Sequence, residues 1–241
     1  RSLQTNLLDA FRIDLRRDGP DLFLVDIQSD QEEGVRQFLA AANPAYPARV
    51  LPVLRARITG VRGETLNLEN FEEVRGQGRL AREYVITYRD HLEANERLVA
   101  GAFWDSPSTT PEVSIEEGIS QRFGIRLGDT VRFDVLGRIV EARVTSVREV
   151  EWADARSGGF MFVFRPGVFE AAPKTFIAAA RGPELPADRA RLQRDLVVAF
   201  PNVSVIDVRE VARTVEAVAA NVTLAVSIVG LIALFAGVLI L

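Results

Sequence analysis

The stretch Leu22–Ala42, LFLVDIQSDQEEGVRQFLAAA, changes its apolar period once, and that change decides the fold. Leu22 to Ile27 is a short apolar run of strand type. Ser29-Asp30-Gln31-Glu32 has the spacing of a capping box, whose hydroxyl and carboxylate satisfy opposite ends of one helical start, so a helix is expected there. Val35, Phe38, Leu39 and Ala42 then fall at i, i+3, i+4 and i+7 as one buried stripe, and Asn43-Pro44 ends it. Arg49 to Arg62 resumes as a strand. The unit reads β-α-β.

The same pattern returns near the other end. Thr175 to Ala180 reads as a strand, Ala187 to Phe200 as a helix with Leu192, Leu196 and Val197 inward, and Val203 to Val208 as a strand. Two such units side by side predict an α+β fold, a split βαββαβ or ferredoxin-like sandwich with its helices on one face of the sheet. What lies between them is an insertion, mostly β with one helix. Leu80 to Tyr88 reads as a strand. Ser114-Ile115-Glu116-Glu117 is a second capping box, predicting a helix with Ile115, Ile119 and Phe123 inward before Gly124. Val131, Phe133 and Val135 alternate with polar residues, Leu136-Gly137 marks a turn, and Arg138 to Val147 returns as a long strand. Phe160 to Phe164 adds another.

From Arg209 the pattern turns helical and runs without Gly or Pro into Val222–Leu241, VTLAVSIVGLIALFAGVLIL, which holds no charged residue. Twenty helical residues cover about 30 Å, the thickness of a bilayer's hydrocarbon core. The Val, Leu, Ile and Phe residues there contribute on the order of −4 to −8 kcal/mol to insertion. A transmembrane helix is expected. Thr223, Ser227, Gly230, Ala233 and Gly237 share one side of it, a stripe of small residues suited to close packing against a partner helix. The chain has the character of a fragment, with a further span expected before Arg1 and more after Leu241.

Composition narrows the function. A net charge of −4 without a basic stripe leaves a nucleic-acid partner unsupported. The absence of cysteine removes disulfides, thiol nucleophiles and Cys-type zinc sites, and a single histidine, His91, removes histidine clusters. No cofactor or metal site is predicted. The only lysine, Lys174, stands in Pro173-Lys174-Thr175 without a phosphate-binding loop, so ATP hydrolysis is assigned to a partner. Gly76-Gln77-Gly78-Arg79-Leu80-Ala81 matches a loose dinucleotide pattern but precedes a strand rather than a helix, and reads as a loop. His91 lacks an identifiable nucleophile and orienting group and reads as a surface residue. Ser157-Gly158-Gly159 reads as a plain loop. Of the acidic pairs Glu32-Glu33, Glu72-Glu73 and Glu116-Glu117, two fall in first helical turns, where the helix dipole favours them. Trp104 and Trp152 read as packing rather than as amphiphile contacts.

Taken in order, FLVDIQSDQ (Phe23 to Gln31), RLVAGAFW (Arg97 to Trp104), VSIEEGISQRFGIRLGDTVRFDVLG (Val113 to Gly137), VEARVTSVREVEW (Val140 to Trp152) and FPNVSVIDV (Phe200 to Val208) carry a resemblance. They resemble the extracytoplasmic, MacB-like domain of FtsX-like ABC transporter permeases, in particular the YbbP-type branch associated with a lysophospholipase or thioesterase. The resemblance implies an entry segment over 1–19 and a porter-like subdomain over 20–62 and 175–208. It further implies a β-rich inserted subdomain over 63–174, a stalk helix over 209–221 and a transmembrane helix over 222–241. It implies a non-enzymatic subunit of the inner cell membrane, mainly extracytoplasmic over 1–221. Mechanotransmission from an ABC ATPase in trans, contact with membrane lipid and amphiphilic or lipid-like cargo also follow from it. The alternative is a membrane-anchored scaffold that recruits or activates an extracytoplasmic hydrolase without transport.

Overall fold

A computed structural model describes residues 19–65, 82–152, 159–211 and 213–214. The first unit is a strand β1 (Leu22–Gln28), a helix α1 (Glu32–Ala42) and a strand β2 (Arg49–Val61). The last comprises β10 (Thr175–Ala180), α3 (Pro186–Ala199) and β11 (Ser204–Asp207). Their strands interleave in the order β11-β1-β10-β2, every neighbouring pair antiparallel. Each helix therefore crosses over one strand belonging to the other unit. Val35 and Leu39 of α1 and Leu192 and Leu196 of α3 pack in one cluster with Leu22, Leu24, Ile27, Phe176 and Ala178, so both helices cover the same face.

A bulge sets which β1 side chains enter that cluster. Strict alternation from Leu22 and Leu24 would point Asp26 into the core. Instead the register with β10 shifts between Leu24 and Ile27, and Asp26 takes a left-handed backbone conformation at φ 64°. The extra residue brings Ile27 to the inward position, fully buried.

Between the two units run β3 (Glu64–Thr65), β4 (Glu83–Tyr88), β5 (Glu96–Gly101), β6 (Glu112–Glu116), α2 (Glu117–Phe123), β7 (Thr130–Val135), β8 (Arg138–Val150) and β9 (Phe162–Phe164). β2 is long enough to serve two structures. Its first residues pair with β10, Leu54 to Arg57 pair with β4 on one side, and Ala56 to Val61 pair with β7 on the other. Following the ladders from β2 through β4, β9, β6, β8 and β7 leads back to β2, a closed barrel of six strands. Closure leaves those strands few free edges. Phe133 sits edge-on to Phe162 and Phe164 at 5.3 and 5.0 Å, and all three are fully buried in its interior. Val53, Trp104, Phe160 and Val163 form a third cluster, to which Leu51 and Ile177 of the neighbouring strands add.

Several local expectations are corrected. α1 begins at Glu32 with Gln31 as an uncapped N-cap, because Ser29 donates its hydroxyl to the Lys174 carbonyl instead. Ala42 is exposed. Ser114 and Ile115 lie in β6, not in a helix; α2 starts at Glu117, and the Glu116 carboxylate caps it by accepting from the Ile119 N–H at 3.0 Å. On α3, Val197 is 51% exposed and Arg189 is buried in its stead. The Leu136-Gly137 turn joins β7 to β8 as expected, both residues at positive φ and the Gly137 N–H donating to Asp134 Oδ1 at 2.8 Å. The 222–241 helix and its stripe of Thr223, Ser227, Gly230, Ala233 and Gly237 lie outside the described residues. Among the described residues no helix is long and apolar enough to cross a membrane.

Candidate functional site

The two connections of the α/β lobe meet at one point. Asp21 enters β1, Asp207 ends β11, and the register sets Leu22 opposite Asp207. The Asp21 N–H donates to the Ala180 carbonyl at 3.0 Å, and the Val208 N–H donates to the Asp21 carbonyl at 2.9 Å. Helical backbone then begins at Val208.

Four charged side chains lock this junction. Arg189 reaches from α3 and divides its guanidinium between Asp21 Oδ2 at 2.7 Å and Asp207 Oδ2 at 3.0 Å. Arg209 forms an ion pair with the Asp21 carboxylate as well, its Nε 2.6 Å from Asp21 Oδ2. The remaining lone pairs are also used. Asp21 Oδ1 accepts the Gly182 N–H at 2.8 Å, Asp207 Oδ2 accepts Gln193 Nε2 at 3.0 Å, and Asp207 Oδ1 accepts the N–H groups of Arg209 and Glu210 at 2.9 and 3.3 Å. Asp207 is thus the N-cap of the outgoing helix, its carboxylate on the positive end of the helix dipole. The Asp21, Asp207 and Arg189 side chains are at most 9% exposed. A buried ion pair overcomes desolvation only when its other hydrogen-bonding positions are filled, and here they are.

An exposed carboxylate completes the lock. Arg209 grips Glu184 with both terminal nitrogens, at 2.9 and 3.2 Å, and Arg181 adds a third bond at 2.8 Å. The hydrogen bonds from Arg209 and Arg181 pull the Glu184 carboxyl down to about 2, and Glu184 in return raises Arg209. Gly182 admits this packing because a Cβ there would lie 2.7 Å from Leu22 Cδ1 and 2.9 Å from the Arg189 guanidinium carbon. The segment entering at Asp21 and the helix leaving at Asp207 are thus held by one ion-paired cluster.

A second buried network lies along the barrel wall. Arg148, fully buried, donates to Glu96 Oε1 at 2.5 Å, Ser114 Oγ at 3.0 Å and the Phe160 carbonyl at 2.8 Å. Burial lowers Arg148 to about 10, which leaves it charged at neutral pH. Arg89 takes both oxygens of the same Glu96 at 2.6 Å. Apart from Arg89 Nε, which is buried without a hydrogen-bond partner, these donors end on protein, so the network ties the residue that follows β4 to β5, β6 and β8.

The candidates singled out in the sequence do not gather. His91 is exposed; its Nδ1 contacts Asp90 Oδ1 at 2.9 Å, which lowers the Asp90 carboxyl, and its Nε2 stands 3.6 Å from Glu93 Oε1. Lys174 donates to the Glu170 carbonyl at 2.5 Å. Glu32 and Glu33 pair with Arg36 and Gln37 one turn along α1, and Glu117 with Gln121 on α2. Trp104 is buried and donates to the Arg89 carbonyl at 2.6 Å, whereas Trp152 is 45% exposed. Among the described residues no group of three or more possible metal ligands occurs. Gly76 to Ala81, Glu72-Glu73, Ser157 and Gly158 lie outside them. The junction residues Asp21, Arg189, Asp207 and Arg209 form no motif in the sequence. Arg189 did leave a signal: it stands at i, with Leu192 at i+3 and Leu196 at i+7, a charge on an inward stripe that requires a buried partner.

The chain is similar to the protein named "Uncharacterized ABC transporter permease YbbP" of Escherichia coli (strain K12), at 30% identity over 213 residues, 88% of this chain. It spans about 25% of that relative's length. A crystal structure of a domain described as that of a permease protein from Porphyromonas gingivalis matches 78% of this chain and 91% of its own, at 12% identity and a TM-score of 0.35. No protein-family model matches.

Proposed function

We propose that this chain is the extracytoplasmic domain and adjoining transmembrane helix of an FtsX-like, MacB-like ABC transporter permease subunit. It couples ATP hydrolysis by a partner subunit to movement of amphiphilic or lipid-like cargo at the inner membrane, and has no enzymatic step of its own. In this reading residues 20–62 and 175–208 are the porter-like subdomain, 63–174 the inserted barrel, 209–221 the stalk and 222–241 the span, with 1–19 leading in from an earlier one. Similarity to a permease over most of the chain supports the assignment. The observation that carries the mechanism is the ion-paired junction, where Arg189 and Arg209 bind both Asp21 on the entering segment and the carboxylates that hold the outgoing helix. Attachment of both connections to one cluster supports a reading in which motion of membrane helices turns the domain as a body.

The test reconstitutes the permease with its ATPase in liposomes and follows ATP hydrolysis beside extraction of a labelled lysophospholipid. The wild type extracts the label in an ATP-dependent way. Arg189→Met keeps hydrolysis and loses extraction by about tenfold, the size of an ordinary coupling free energy. Absence of extraction by the wild type, with ATP-independent capture of a lysophospholipase or thioesterase, overturns the transport reading in favour of the scaffold.

A further inference from the structure

A cavity of about 280 Å³ opens beside α2, and its walls divide by chemistry. Arg82 and Arg122 supply two guanidinium groups, while Trp152, Phe123 and Met161 supply apolar surface over the deeper Tyr84 and Ile119. Glu116, the remaining charged wall residue, is held by the Ile119 N–H as the cap of α2. Neither arginine forms an ion pair among the described residues. Arg82 lies over the Tyr84 ring at 4.9 Å and reaches Met161 Sδ, a weak acceptor, at 3.3 Å. Both arginines act on the cavity interior: burial raises the Tyr84 hydroxyl, and the two guanidiniums oppose that rise. Trp152 is seated against backbone, since a Cβ on Gly159 would come within 2.5 Å of its ring.

Two guanidiniums not ion-paired to any carboxylate of the described residues, beside an indole, a phenyl ring and a thioether, outnumber the single capping carboxylate Glu116 and form a divided surface. It complements a ligand that is anionic at one end and apolar at the other. We propose that this cavity binds the head and first methylenes of a single-chain aliphatic carboxylate, with Arg82 and Arg122 on the carboxylate and Trp152, Phe123 and Met161 on the chain. A simple anion would leave the apolar wall wet, and a neutral chain would leave two guanidiniums to be desolvated without a partner. The site stands apart from the junction and does not depend on the coupling reading.

The test uses the 241-residue chain in phosphatidylcholine nanodiscs, titrated with sodium octanoate and followed by tryptophan fluorescence. Octanoate gives a saturable change that Trp152→Phe removes. Arg82→Gln with Arg122→Gln weakens binding by about tenfold or more, the loss expected for charge-assisted hydrogen bonds. Arg82→Lys with Arg122→Lys, which keeps both charges, retains most of it, and matching circular dichroism spectra exclude misfolding as the cause. Equal titrations for the wild type and the Gln variant, or an equal response to octyltrimethylammonium, mean partition into the bilayer and overturn the proposal. Acetate binding as tightly as octanoate overturns it too, leaving an anion site without a place for the chain. ATPase and transport take no part in this measurement, so its failure leaves the coupling reading untouched.

Discussion

Arg189 Nη1 lies 3.0 Å from Asp207 Oδ2, inside the α/β lobe, while the other oxygen of the same Asp207 carboxylate caps the helix that leaves it. One residue thus answers to the core on one side and to the outgoing helix on the other. A change at either partner is felt by both.

Arg189→Met removes the cation between two carboxylates that are each 4% exposed. Urea unfolding is expected to show a loss of about 3–5 kcal/mol, the cost of stranding a buried charge. Adding Asp207→Asn, which keeps the shape and much of the cap, should recover part of that loss. A loss under about 1 kcal/mol would mean the cluster is hydrated and mechanically soft.

Acid should release the outer lock late. Glu184 is held near 2 by Arg209 and Arg181, below its ordinary 4.5, so its contribution is complete above about 4.5 and fades as pH falls through about 2. A carbon-detected carboxyl titration should place Glu184 lowest among the exposed glutamates. Arg209→Gln should return it most of the way to its ordinary value.

Arg148→Met tests the barrel network. Its loss leaves the Phe160 carbonyl without its Arg148 donor, Ser114 Oγ with the Ser146 hydroxyl, and Glu96 with Arg89 as its remaining cation, at a cost of about 3–5 kcal/mol. Combining it with Glu96→Gln should cost less than the sum of the two single changes, because both remove one interaction.

Two glycines separate backbone conformation from crowding. Gly63 at φ 80° faces open space, and Gly101 at φ 78° would carry a Cβ 2.2 Å from the Thr145 carbonyl oxygen. Gly63→Ala is expected to cost about 1 kcal/mol and Gly101→Ala roughly 3 kcal/mol or more, measured as urea midpoints. Equal costs would show that β5 moves away from β8 freely.

The main lobe was legible because its strands and helices carry clean periods. Val35 and Leu39 on α1, and Leu192 and Leu196 on α3, lie where 3.6-residue spacing sets them. The spacing of Ser114 to Glu117 fits a capping box, yet Ser114 lies in β6, and the buried partner that claims it, Arg148, is 34 residues away. Val197 reads as inward by its apolar character, yet it is exposed on α3, where the buried cation Arg189 shares the inward face.

Neighbours along the chain are enough to define the two β-α-β units, the β-rich stretch between them, the lack of cysteine chemistry and the apolar run at 222–241. The interleaving of the two units and the remaining contacts come from pairing between distant strands. β2 closes a barrel because its pairing changes from β10 to β4 and β7 along one strand. Asp21, Arg189, Asp207 and Arg209 become one cluster because two antiparallel strands bring residues 21 and 207 together. Their attraction depends on distance through a buried interior, and no local spacing encodes that.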